Sequence, residues 1–337
     1  MNSQLRIPFQ EVFETLQSIL LTYKFKADDA ALSARLFAET TADGVYSHGL
    51  NRFPRYIDNI AKGYIKVSAT PSLIRSAGIL EVWDGNSGPG NLNAYRSMGR
   101  AIELSKQSGT GIVALRNTNH WMRGGSYGWQ AANANCIGIC FTNTKPNMPP
   151  WGGIKPAIGN NPLIIAIPDA NGHLVLDMAM SQFAYGKLET LAMEGKKLPF
   201  YGGYNRDGEL TDNPSEIIET ERILPAGYWK GSGLSMMLDL LAAILSGGLA
   251  THDIGKLQEE HHLSQVFMAF DAQTCGFSGY IGDVVKEFKK YIKIESSARG
   301  EEPVRYPGER VLTTRRENME KGIPVNKQLW EKIRSMC

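Results

Sequence analysis

Apolar side chains recur at helical spacing over residues 28–41, behind an acidic start, and residues 52–62 repeat the pattern. The spacing therefore predicts a mainly helical opening of about 65 residues. From Ile65 to Asp84 the pattern changes, with Pro71 and Gly78 as punctuation and a strand-like run over 79–83. A Gly/Asn turn and a helix over about 91–107 are expected next. Further strands are expected over 111–115, 137–142, 163–168, 174–178 and 265–270, and helices near 125–134, 181–195 and 232–245. Strands and helices alternate too irregularly for a uniform βαβ array, which favours a mixed sheet. A helix returns over 283–291, residues 296–308 read as a polar loop, and a last helix is expected over about 326–336. The expected fold class is α/β (α+β). A helical domain over 1–70, completed by about 285–337, is set against an α/β domain over 71–284. Neither an internal repeat nor a low-complexity tract is present. The pairs Glu301-Glu302 and Arg315-Arg316 read as solvated surface.

Composition narrows the class without naming a chemistry. With 337 residues, 42% hydrophobic and 21% charged, the chain has enough apolar material for two cores. Its 36 basic and 34 acidic residues are dispersed, so neither a nucleic acid nor a membrane is an expected partner. Residues 1–10 lack a basic stretch followed by an apolar core, and no apolar run is long enough to span a bilayer. A cytoplasmic protein is expected. Cys136, Cys140, Cys275 and Cys337 are few for this length and read as reduced, buried thiols, with Cys136 and Cys140 on one side of a strand.

The segment Tyr46-Ser47-His48-Gly49-Leu50-Asn51-Arg52 is the strongest chemical candidate. On a helix starting at Gly49, His48 and Arg52 stand at i and i+4, with Arg55 three residues on. Arg can hold a carboxylate through two parallel hydrogen bonds, and His can give a proton to a carbonyl becoming an alcohol, so the pair suits a keto acid. A capped helix start with a solvated basic face accounts for the segment equally well. His120, in Asn119-His120-Trp121 behind the strand 111–115, is a second candidate acid, base or substrate donor, against the commoner strand-end histidine. Residues 227–233, with three glycines, Trp229 and Lys230, lead into an apolar helix and suit a phosphate beside a stacked ring. They do not form a Walker A loop. Residues 84–93 mimic a dinucleotide fingerprint but carry Asn93 where the pattern needs glycine, so a Rossmann site is rejected and the stretch read as a turn. His261-His262 lacks spaced partners for a metal and reads as a solvated helix end; His252 reads as a helix cap. No metal site is expected.

Taken in order, Tyr46-Ser47-His48-Gly49, Asn119-His120, Pro150-Trp151-Gly152-Gly153, Gly159-Asn160-Asn161-Pro162, Asp177-Met178-Ala179, Leu198-Pro199, Trp229-Lys230-Gly231-Ser232-Gly233 and Pro307-Gly308-Glu309 resemble the malate/L-lactate dehydrogenase family of the non-Rossmann type. That group also contains sulfolactate and ureidoglycolate dehydrogenases. The resemblance implies a homodimer whose central, largely antiparallel sheet binds NAD without a Rossmann fold, beside a helical domain built from both chain ends. It implies His48 as proton donor, although His120 falls where some relatives place a catalytic histidine, and it is consistent with Arg52 as carboxylate clamp. The cofactor segments carry over to His173, Leu174, Val175, Leu176, Asp177, Met178 and Ala179, to Trp229 and Lys230, and to Gly308, Glu309 and Arg310. Asp177 is expected to accept hydrogen bonds from cofactor hydroxyls and Lys230 to face the pyrophosphate. NADH is the expected cofactor, with NADPH as alternative, and a keto sugar acid the expected substrate. Malate, lactate, sulfolactate, ureidoglycolate or a cyclic imino acid are the alternatives. A binding protein that lost catalysis would show erosion of His48 or Lys230, and both are present; a nucleotide hydrolase lacks its phosphate loop.

Overall fold

The two ends of the chain meet. In the computed structural model, which describes residues 4–294 and 303–336, strand β1 (Gln4–Ile7) pairs antiparallel with β11 (Ile323–Asn326), Leu5 opposite Val325. Helix α1 (Phe9–Thr22) buries Val12, Leu16, Ile19 and Leu20, a single stripe at i, i+4, i+7 and i+8. That stripe packs with Ala30, Ala34, Phe37 and Ala38 of α2 (Ala27–Ala42) and with Trp330 and Ile333 of α12 (Lys327–Arg334). Asn326 starts α12 by accepting the Leu329 N–H at 3.1 Å.

The centre is a seven-stranded sheet in the order β2 (Ser72–Ala77), β3 (Leu80–Asp84), β4 (Thr110–Thr118), β10 (Leu263–Asp271), β5 (Cys136–Thr142), β6 (Leu163–Ile167) and β7 (Leu174–Met178). Only β3 and β4 run parallel, joined by the crossover helix α4 (Gly90–Ser108). The other neighbours are antiparallel. The mixed, largely antiparallel sheet is therefore present, and the strand–turn–helix at 84–93 does not lead into a doubly wound array. Central strand β10 is covered on both faces: Phe267 and Ala269 join Met98, Ala101 and Ala131 of α4 and α5 (Gly125–Asn133), while Val266 joins Leu238 and Ala242 of α8 (Trp229–Ser246) on the other side.

The expected helix over 181–195 is the shorter α6 (Tyr185–Met193), and α8 begins three residues earlier than expected. Helix α10 (Ser278–Ile294) extends the expected 283–291 segment. Residues 303–308 are irregular, while residues 295–302, with Glu301, Glu302 and part of the expected loop, lie outside the described residues, as does Cys337. The pattern missed β2, whose residues are all exposed, the short hairpin β8 (Gly203–Tyr204) and β9 (Leu210–Thr211), and α7 (Pro214–Thr220). It also missed α11 (Glu309–Lys321), which buries only Asn318. Cys136 and Cys140 are buried on one side of β5 as expected, but Cys275 is exposed. His252 lies inside the short helix α9 (Thr251–Ile254), not at its cap, Ala250. No helix of the described residues is long and apolar enough to cross a membrane.

Candidate active site

Helix α2 stops at Ala42, and Gly44, at φ 80°, turns the chain back along it. Two 3₁₀ turns follow, Tyr46–His48 and Leu50–Arg52, and the α-helix α3 (Phe53–Ala61) starts only at Phe53. The expected helix from Gly49 is thus corrected. At Gly49 the chain passes so close to α2 that a Cβ would lie 3.0 Å from the Thr41 backbone nitrogen, and Thr41 Oγ1 accepts the Leu50 N–H instead. Arg55 leaves the group: its guanidinium is half exposed and pairs with Glu259 at 3.4 Å.

His120 enters from the end of β4. Asn119, just before it, is buried and donates to the carbonyls of Tyr64, Ser87 and Gly88. Gly90 lies against the Asn119 and His120 carbonyls, where a Cβ would not fit, so the start of α4 fixes this corner. The His120 Nδ1 accepts the Met122 N–H at 3.0 Å, which places the proton of the neutral ring on Nε2. The rings of His48 and His120 stack, with centroids 5.7 Å apart and planes 16° from parallel, each keeping part of its surface open. His48 Nδ1 lies 3.0 Å from Ser47 Oγ.

Burial pushes both imidazoles below the ordinary histidine range, and the Arg52 charge adds to that in each. His120 is pushed further, with His48 and Arg55 contributing; Asp177 opposes the shift at His48. Two stacked imidazolium ions would repel, so at most one ring carries the proton. Protonating His120 on Nδ1 also breaks its bond to the Met122 N–H, a cost that protonating His48 does not carry. Arg52 completes the group. Its guanidinium lies 3.9 Å from Glu260 and donates no hydrogen bond to a described residue, although it is largely buried.

Behind the histidines runs an ion network that the sequence reading did not contain. Asp43, 1% exposed, is bonded by Arg123, itself 4% exposed, and by both Nε (2.5 Å) and Nη2 (2.7 Å) of Arg315. Arg315, expected on the surface, turns inward because this carboxylate and the Trp129 ring, 4.7 Å away, receive it. The Arg123 Nε lies 3.8 Å from Asp177 Oδ2, which also accepts the Gly125 N–H at 2.9 Å. Asp43, Arg123 and Glu260 carry no sequence signal, since each is an isolated charge that acquires its partner only in three dimensions.

The proposed cofactor segments converge along β7. Val175 N–H donates to the Pro307 carbonyl at 3.0 Å, and Gly308, at φ 93°, lies where a Cβ would meet Val175 N and His173 O. Glu309 pairs with Lys293 at 2.6 Å. His173 has both nitrogens engaged, Nδ1 by the Asp169 N–H and Nε2 with Asn133. Leu174 and Val175 face the core. Just beyond β7, Ala226 N–H donates to Met180 O and Gln182 N–H to Leu224 O, which brings the start of α8 to the strand's end. Trp229 and Lys230 are exposed there. Gly231 serves packing more than ligand approach, since a Cβ there would meet Ala226 N at 2.8 Å and its N–H is committed to Ala226 O, whereas Gly227 takes φ 60° and Gly233 faces open space. The positive end of this site is thus the Lys230 ammonium, with no ion pair among the described residues. Asp177 Oδ1 is an open acceptor. A cation, a free carboxylate oxygen and an exposed indole fit the phosphates, hydroxyls and ring of a dinucleotide.

His261 and His262 are not a helix end. They lie in the loop before β10, the His261 ring stacked on Tyr64 at 5.1 Å and His262 bonded to Asn117. No group of three or more His, Cys, Asp or Glu side chains among the described residues is placed to hold a metal ion.

The chain is 42% identical to 2,3-diketo-L-gulonate reductase of Citrobacter koseri over 334 residues, covering 98% of this chain and 100% of that protein. Among solved structures it is similar to malate dehydrogenase from Pyrococcus horikoshii, with TM-score 0.89 and 29% identity over 99% of this chain and 94% of that one. It is likewise similar to sulfolactate dehydrogenase from Methanocaldococcus jannaschii, with TM-score 0.91 and 28% identity over 99% and 96%. Fold, site and these likenesses define an oxidoreductase acting on CH–OH or keto groups, of a kind that uses a nicotinamide cofactor. The family model for malate/L-lactate dehydrogenase matches residues 7–334, and the chain belongs to that family as a keto acid reductase.

Proposed function

We propose that the protein reduces the keto group of a hydroxylated keto acid, of the 2,3-diketo-L-gulonate type, with NADH as reductant and His48 as proton donor. The observation that carries this reading is the open Arg52 guanidinium beside two stacked imidazoles, one of them fixed as a neutral donor. Arg52 holds the substrate carboxylate, which offsets the cost of its own burial. His120 Nε2–H donates to the ketone oxygen and orients it. His48 delivers the proton to that oxygen as it becomes a hydroxyl. The nicotinamide, when bound, supplies the hydride; Asp177 would hold cofactor hydroxyls, Lys230 the pyrophosphate and Trp229 a ring. His173 acts through Asn133 and Asp169, shaping β7. The working form is a homodimer, a reading supported by Met237, Leu240, Leu241 and Ile244, which leave one apolar face of α8 exposed.

The first test is loss of NADH absorbance with 2,3-diketo-L-gulonate, oxaloacetate and pyruvate compared side by side. Oxidation with none of the three would sink the reading. Arg52→Lys is expected to raise KM for the keto acid by about 10–100-fold with a smaller change in kcat, because an ammonium cannot reproduce a two-point contact. An unaltered KM removes Arg52 from the clamp role.

The direction of the histidine shifts sets the pH dependence. His48 must be protonated to donate, and its burial confines protonation in the free enzyme to below the usual histidine range. The kcat/KM for reduction is therefore expected to fall as pH rises through that depressed pKa. A bound substrate carboxylate stabilises the imidazolium, so the corresponding fall in kcat should sit at higher pH. For stability the sign is the reverse of a salt-bridged histidine: with the folded pKa lowered, the contribution is full above the unfolded value near 6.5 and is lost as pH falls below it. Coincident pH profiles for kcat and kcat/KM would contradict this electrostatic account.

A further inference from the structure

The loop carrying Glu260 is held more firmly than a surface connection requires. Tyr64 donates from its hydroxyl to Gln258 at 3.4 Å and stacks on His261, Arg55 pairs with Glu259, and His262 is bonded to Asn117. These contacts tie residues 258–262 to α3 and to the end of β4, and Arg52 immediately precedes α3 while His120 follows β4 by two residues. Their joint result is to fix one carboxylate, Glu260, 14% exposed, beside the open Arg52 guanidinium. One oxygen is spoken for: Oε2 accepts the Lys145 N–H at 3.1 Å. The other, Oε1, lies 3.9 Å from Arg52 Nη2 and accepts no hydrogen bond among the described residues.

A fixed carboxylate with one free lone-pair face does two things to a ligand held by Arg52. It accepts a hydrogen bond from a hydroxyl, and it repels a second negative group in a poorly solvated site. The pair thus reads charge and hydroxylation together, one attractive and one repulsive element at the same place. Resting on the reading of Arg52 as the carboxylate clamp, we infer that Glu260 is a specificity-determining residue. It admits monoanionic keto acids whose carbon chain carries hydroxyl groups and excludes dianionic ones. This separates substrate classes that the fold alone leaves together, since keto dicarboxylates and keto sulfonates carry two charges where a keto sugar acid carries one.

The test is calorimetric binding of two acids that cannot be reduced, L-gulonate (one charge, several hydroxyls) and malonate (two charges, no hydroxyl), to the NADH-saturated protein. The native protein is expected to favour L-gulonate. In Glu260→Gln the amide oxygen still accepts the Lys145 N–H, so the loop keeps its anchor while the charge is removed. The preference for L-gulonate should then narrow by about tenfold or more, chiefly because malonate binds more tightly. Glu259→Gln, which removes a charge from the same loop and weakens its pair with Arg55, should leave the preference as it is. An unchanged preference in Glu260→Gln, or equal narrowing in Glu259→Gln, overturns the assignment. Arg52→Lys separates the two readings: loss of both acids there, with an unchanged preference in Glu260→Gln, sinks the role of Glu260 alone. If Arg52→Lys binds both acids as the native protein does, or if the native protein binds neither, the clamp itself fails and the inference with it.

Discussion

Replacing His48 by asparagine is expected to lower kcat for keto acid reduction by about 10²–10⁴-fold while NADH affinity stays within about twofold. Asparagine keeps a hydrogen-bonding group beside Ser47 but has no proton to release near neutral pH. The substitution therefore removes the acid and little of the packing, since His48 is only half-buried and its one side-chain hydrogen bond is to the neighbouring residue. His120 provides the comparison. Its Nδ1 is committed to the Met122 N–H, so on the proposed mechanism it stays neutral and donates through Nε2–H. His120→Asn should also slow the reaction, yet keep the fall in kcat/KM with rising pH that His48 causes, whereas His48→Asn should abolish that fall. The decisive measurement is the pH profile of both variants: a retained limb in His48→Asn, or turnover near the native value, assigns the proton to another group.

Replacing Asp43 by alanine is expected to destabilise the protein by about 3–5 kcal/mol, the cost of removing one partner from a buried ion pair. Arg123 is 4% exposed and would be left with Asp177 at 3.8 Å, while Arg315 would lose both of its hydrogen bonds to the carboxylate. Three parts of the chain lose their common anchor at once, because Asp43 follows α2, Arg123 precedes α5 and Arg315 belongs to α11. Denaturant unfolding of native and variant protein reads the effect as a shift in midpoint. Pairing the change with Arg123→Met should recover part of the loss, since the more deeply buried of the two guanidiniums left without Asp43 is then removed. A loss below about 1 kcal/mol in Asp43→Ala would show that water solvates Arg123 and that the network is not structural.

What the chain's pattern determines is local. The helical stripe of α2, the one-sided cysteines of β5 and the strand character of β10 follow from apolar spacing, and spacing is a property of consecutive residues. The same holds for the rejection of a Rossmann site at Asn93, and for His48 and Arg52 as a candidate pair. Where tertiary contacts supply the stabilisation, the pattern was silent or misleading. Helix α11 is polar and held through Arg315 and Asn318, β2 has no buried face, and the segment before α3 breaks into 3₁₀ turns because Thr41 stands in the path of a regular helix. The site divides in the same way. His48 and His120 were legible as residues, but their stacking joins positions 72 apart in sequence (120 − 48), and only the fold gives the His120 Nδ1 the Met122 N–H. Asp43, Arg123 and Glu260 were invisible, because a lone charge acquires meaning from what it is buried beside, and burial is decided by the packing of distant segments rather than by the order of residues.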